Sequence, residues 1–155
     1  MPRKPSYVGT LNAIANGERV GYELFAAWSG ATNDEKLKPV LDTVAIREME
    51  HSWAFEKRLL ELGFDLQPVP RDKATAKLVK LMKSKASDDE KFAAFGIGAP
   101  RDRDAPPAED RLLQILADSS IDAQTGGLIG RFICEERQSG RDLTKAYKAL
   151  QRRNS

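Results

Sequence analysis

Apolar residues recur at steps of three and four through most of the chain, the spacing that gathers them on one face of an α-helix. Leu11, Ile14, Glu18, Gly21 or Tyr22, Phe25 and Trp28 form the first such stripe. It predicts a helix that starts near residue 6 or 10 and runs to 28, where Ser29-Gly30 ends it. Leu41, Val44, Glu48, His51, Phe55 and Leu59 form a second stripe over 39–62. Thr32-Asn33-Asp34 supplies capping groups ahead of this helix, Pro39 opens it or kinks its first turns, and Gly63 is a natural C-cap. So short a link predicts an antiparallel hairpin. Beyond the turn-rich stretch through Pro68 and Pro70, residues 72–83 read as a helix. Ser87-Asp88-Asp89-Glu90 reads as a cap before a short apolar piece ending at Gly96-Ile97-Gly98. Residues 99–108 read as a charged, proline-bearing loop, and 109–117 as a short helix. The last stripe is Thr125, Leu128 or Ile129, Phe132, Glu136, Ser139, Leu143, Ala146 or Tyr147 and Leu150, on a helix over 122–150. No segment alternates with period two, and no repeat recurs at a fixed period. The expectation is an all-α single domain over 1–155. Its four-helix core is made by 11–28, 39–62, a broken third element within 72–118, and 122–150, with additional short helices.

Each of three long stripes carries a carboxylate at an inner position: Glu18, Glu48 and Glu136. An unpaired charge buried in a core costs several kcal/mol, so such placement calls for a compensating partner. His51, the single histidine of the chain, stands one turn after Glu48 on the same helix face. One carboxylate on one helix followed by Glu-x-x-His on the next is half of the ligand set with which four-helix bundles build a two-metal carboxylate site. Oxygen-rich ligation with one imidazole suits iron or manganese better than zinc.

On these residues the chain resembles the ferritin-like superfamily, in particular its rubrerythrin-like branch. The likeness rests on Glu18 in NGERVGYELF and on Glu48 and His51 in AIREMEHSWAFEKRLLELG. It covers roughly the first 65 residues, and the last helix more loosely. The resemblance implies a ferritin-like four-helix bundle, and metal ligation by Glu18, Glu48, His51 and Glu136. The metal would be iron or manganese, as one ion or two, and the chemistry would be oxidation by dioxygen or peroxide. The full family pattern has a Glu on a third helix and a second Glu-x-x-His on the fourth. Here Ser139 stands where that second histidine would follow Glu136; were Glu135 the ligand, Gln138 would stand there. Glu90 and Glu109 are the third-helix candidates, neither in clean phase. Two arrangements remain open: one metal held by the four residues named, or half-sites of two chains meeting across a two-fold axis in a homodimer. The alternative class is a degenerate ferritin-like bundle that serves as a binding or dimerisation module.

Composition narrows the setting. Hydrophobic residues make up 41% and charged residues 31%, too apolar for a disordered chain. The net charge of +2, from 25 basic and 23 acidic residues interspersed along the sequence, marks no nucleic-acid surface. No apolar run approaches the length of a membrane span, and residues 1–10 lack a signal-type stretch. With Cys134 as the only cysteine, no disulfide or rubredoxin-type iron site can form, and any electron donor is a separate molecule. A cytoplasmic protein is the expectation. Among the remaining residues, Cys134 reads as a small buried hydrophobe, Trp28 and Trp53 as packing residues, and Tyr22 as a core tyrosine. Gly126 and Gly130 read as a small face for close helix packing. Arg47 and Arg137 read as salt-bridge formers at the stripe edges.

Overall fold

The computed structural model describes residues 3–98 and 108–155, with side chains from 112 onward in the second segment. The reading of 99–108 as a loop therefore lies outside the described residues, but for its last residue, as does the side chain of Glu109. The described residues form six helices and no strand: α1 (Val8–Ala31), α2 (Lys38–Glu61), α3 (Lys73–Lys83), α4 (Asp88–Ala94), α5 (Ala108–Leu116) and α6 (Ala123–Asn154). None is long and apolar enough to cross a membrane.

The ends follow their local chemistry. Pro39 lies within the first two positions of α2 and opens the helix without kinking it. Asp72, Ser87 and Asp122 cap α3, α4 and α6 by accepting from the backbone of Thr75, Glu90 and Thr125. Ser87 and Glu90 complete a reciprocal capping box, which occupies Glu90 at the surface and removes it as a third-helix ligand. After α2, Gly63 takes φ +87°, Phe64 N–H reaches Leu59 O and Gly63 N–H reaches Leu60 O. This left-handed closure suits glycine. Helix α1 continues through Ser29-Gly30 to Ala31, because the Ser29 hydroxyl is tied to Asp42 across the hairpin.

Helices α1 and α2 run antiparallel, as the cross-helix contacts Ser29–Asp42, His51–Glu18 and Ser52–Ala15 require. Helix α6 is antiparallel to α2, with Arg58 against Thr125, His51 against Glu135 and Arg47 against Asp142. Among the described residues no long helix covers the remaining side of these three. At one end α3 and α4 fill it, bringing Val79, Met82 and Phe92 to Leu24, Trp28, Leu41 and Leu143. At the other, Tyr7, Leu11, Phe55, Leu59, Ile129 and Phe132 form a second apolar cluster, against which Leu112 and Ile115 of α5 pack. The expected broken third element is thus α3 and α4 together.

Four residues stand differently from their expected places. Cys134 and Tyr22 are exposed, and Trp53 is 61% exposed, because they lie outside the arcs along which α1, α2 and α6 meet. A Cβ at Gly130 would meet nothing within 4 Å, so that position is open rather than closely packed; at Gly126 the Ile121 side chain lies 3.6 Å away.

Candidate metal centre

Between the two apolar clusters lies a polar layer built from the middle turns of α1, α2 and α6. Each helix changes character at the same height. Helix α1 passes from Ala15 through Glu18 to Leu24, α2 from Ala45 through Glu48 and His51 to Phe55, and α6 from Ile133 through Glu135, Glu136 and Ser139 to Leu143. Glu18, Glu48 and His51 are buried, the result expected when charged residues share the phase of the apolar stripe.

The imidazole of His51 sits at the centre. Its Nδ1 is 3.1 Å from Glu18 Oε2 and 3.6 Å from Glu136 Oε1. Its Nε2 is 2.5 Å from Glu135 Oε2, and Glu135 is held in turn by Arg131 at 3.0 Å. Phe132 packs edge-on against the ring at 5.1 Å and fixes its plane. The donor atoms of Glu18, His51 and Glu136 all lie within 4.8 Å of one another, and this group can hold a metal ion. Glu136 Oε1 is buried and has no hydrogen-bond partner. This oxygen keeps only the longer charge contact with His51 in place of its lost solvation, and a cation beside it would supply a direct partner.

Glu48 approaches from the side of α1. A Cβ at Gly21 would lie 2.0 Å from Glu48 Oε2, so glycine at this position is what allows the carboxyl to rest against the α1 backbone. Burial, then the charges of Glu18 and Glu136 and a hydrogen bond with Glu18, push the Glu48 carboxyl up to about 10. Burial, followed by the charge of Glu18, raises Glu136 to about 7. Burial by itself lowers His51, but hydrogen bonds to Glu18 and Glu135 and the charges of Glu18 and Glu136 outweigh it and raise its pKa. A metal-free centre therefore keeps protons that a metal ion would displace.

Three of the expected ligands, Glu18, His51 and Glu136, come within reach of one point, Glu48 lies beside Glu18 outside that group, and Glu135 adds a role that the Glu-x-x-His pattern does not carry. It takes the ring nitrogen that faces away from Glu18 and Glu136. A carboxylate on the far nitrogen of a ligating imidazole fixes its tautomer and raises its basicity. The adjacency of Glu135 to Glu136 was the only signal for it in the sequence. Where a second histidine would stand, Ser139 accepts from Arg47 Nη1 at 3.3 Å, and the same guanidinium nitrogen meets Asp142 at 2.8 Å. Comparison with protein-family models, curated proteins and solved structures returns no match for this chain.

Proposed function

We propose that the protein is a ferritin-like metal-carboxylate protein holding one first-row ion, iron or manganese, with Glu18, His51 and Glu136 as donors and Glu48 alongside. One observation carries this reading: the buried, unpartnered Glu136 Oε1 faces Nδ1 of His51 and shares its side of the ring with Glu18. A cation at their common point supplies the partner that Glu136 lacks. Hard oxygens with one imidazole favour iron or manganese, and Ser139 in place of a second histidine favours one ion over two. One chain supplies every donor, so the centre needs no partner's half-site. Bound iron would supply oxidation by dioxygen or peroxide. For that chemistry Glu135 would hold the His51 ring, and the apolar clusters above and below would bound the centre on two sides. Cys134 is exposed and makes no thiolate iron site, so the reductant is a separate molecule.

The test is the metal content of protein purified without chelator, with absorbance followed after ferrous iron is added in air. One ion per chain and an iron-dependent band are expected. Absence of metal from wild type would favour the second reading, a non-catalytic ferritin-like bundle. That reading has its own support: the neutral Glu48 carboxyl and the doubly paired His51 settle much of the buried charge without an ion.

A homodimer belongs to the same proposal. Ile46, Trp53 and Leu60 are 60%, 61% and 55% exposed at heptad spacing on the outer face of α2. Antiparallel pairing of two α2 helices about Trp53 sets Ile46 against the partner's Leu60 and brings Glu50 beside the partner's Lys57, so the face is complementary to itself.

A further inference from the structure

An open cavity of about 1040 Å³ lies along α6 and reaches the polar layer, with Gly21, Glu48 and Glu136 in its lining. Its α6 wall carries Arg137, Arg141, Lys145, Lys148 and Arg152 at steps of four, four, three and four. That is one face of the helix, about 22 Å long at the rise of an α-helix. The facing wall is apolar: Phe25, Val44, Phe95 and Ile97. Phe95 stacks on Phe25 at 4.9 Å, and Gly96 turns the chain after α4 with φ +72°, so that Ile97 reaches the lining.

The far part of this face, Lys145, Lys148 and Arg152, carries its charge without a compensating carboxylate among the described residues. Arg141 donates to Gln138, and Lys145, Lys148 and Arg152 make no ion pair among the described residues. The carboxylates in the described lining, Glu48 and Glu136, both stand at the polar-layer end. A surface helix that only faced water would have no reason to place its cations opposite aromatic side chains across a cavity of ligand size.

We propose that this cavity binds an amphipathic organic anion. Its anionic head is held by Lys145, Lys148 and Arg152, and its apolar body lies on Phe25, Phe95 and Ile97, pointing toward Glu48 and Glu136. Binding in the cavity stands on the lining alone. That the ligand serves the metal centre rests on the function proposed above.

Metal-free protein titrated calorimetrically with dodecanoate and with dodecyl phosphate, below their micellar concentrations, is expected to bind both. Dodecanol, without charge, and inorganic phosphate, without an apolar body, are expected to bind neither measurably. The two anionic arms separate a carboxylate from a phosphate head. Lys148→Glu together with Arg152→Glu is expected to weaken dodecanoate by at least about tenfold, with helix content and manganese stoichiometry unchanged. Equal binding of dodecanol and dodecanoate, equal binding of inorganic phosphate, or an unaltered affinity in the doubly reversed variant would overturn the proposal. In manganese-loaded protein, dodecanoate is expected to change the manganese resonance spectrum. An unchanged spectrum with the ligand bound would overturn its link to the centre. A protein that takes up no manganese yet binds dodecanoate would defeat the metal reading and leave the cavity standing.

Discussion

In the proposed centre His51 has one ring nitrogen for the metal and one for Glu135, and the two sides predict different losses. His51→Ala removes the only nitrogen donor and is expected to abolish iron or manganese uptake, as is Glu48→Ala through the collapse of its pairing with Glu18. Glu135→Gln keeps the donors but loosens the ring, and is expected to lower metal affinity by about 10- to 100-fold. Ser139→Ala and Gln138→Ala leave the donor set intact and are expected to retain the metal. Stoichiometry and competition with a chelator separate the three classes. Gly21→Ala is the sharper probe of Glu48. The new Cβ would overlap the Glu48 carboxyl, and the end of that flexible side chain must move aside. Helix propensity gains about 1 kcal/mol from the change, so the variant is expected to stay folded while its metal affinity falls.

At the level of whole elements, the start of α6 is locked to α2 and to the residue before α1. Asp122 accepts from Thr125 N–H, from the Tyr7 hydroxyl at 2.9 Å and from Arg58 Nη2 at 2.9 Å. The Thr125 hydroxyl and backbone amide, with smaller help from Tyr7 and Arg58, hold the Asp122 carboxyl well below the usual range. A depressed folded pKa means that this contribution is present above the unfolded value and is lost as pH falls below about 4. Asp122→Ala removes a helix cap and leaves the buried Arg58 with fewer acceptors. A loss of about 2 kcal/mol in urea unfolding is expected at neutral pH, shrinking as the pH approaches 3. On α2, Trp53→Glu places a charge at the centre of the exposed heptad face. If the wild type is the proposed dimer, the variant is expected to be a monomer in sedimentation with unchanged helix content.

For the whole molecule, the polar layer ties stability to pH and, on the proposed reading, to metal. The folded pKa values of Glu136, about 7, and Glu48, about 10, lie above the ordinary carboxylate value. Their stabilisation is therefore full below about pH 4.5 and is lost as pH rises through each folded value. Metal-free protein is expected to lose thermal stability steadily from about pH 5 upward. Metal needs these carboxylates ionised and His51 Nδ1 free of its proton, so the loaded protein is expected to show the opposite slope. The raised His51 pKa places metal release at a higher pH than an ordinary imidazole would, above about 6.5 rather than below it. Parallel melts of the two forms from pH 5 to 9 check this. Melting curves that coincide across that range would exclude a bound ion at the centre.

The sequence by itself determined the helices, because caps and three-four periodicity are local. Asp72, Ser87, Asp122 and Gly63 fixed ends within a residue or two, and the phase of Glu18, Glu48, His51 and Glu136 put all four on inner faces. Phase is a property of one helix, and it does not say how three helices are registered against each other. Only the packed structure brought the polar turns to one height between two apolar clusters, and so joined groups more than eighty positions apart, as in His51 and Glu135. It also decided which margins stay bare. Trp53 and Cys134 look like core residues by type, but none of the described helices covers them. Gly21 reads as a tolerated glycine until the Glu48 carboxyl is seen lying against it. The charged face of α6 becomes a cavity wall only when Phe95 and Ile97 fold over opposite it.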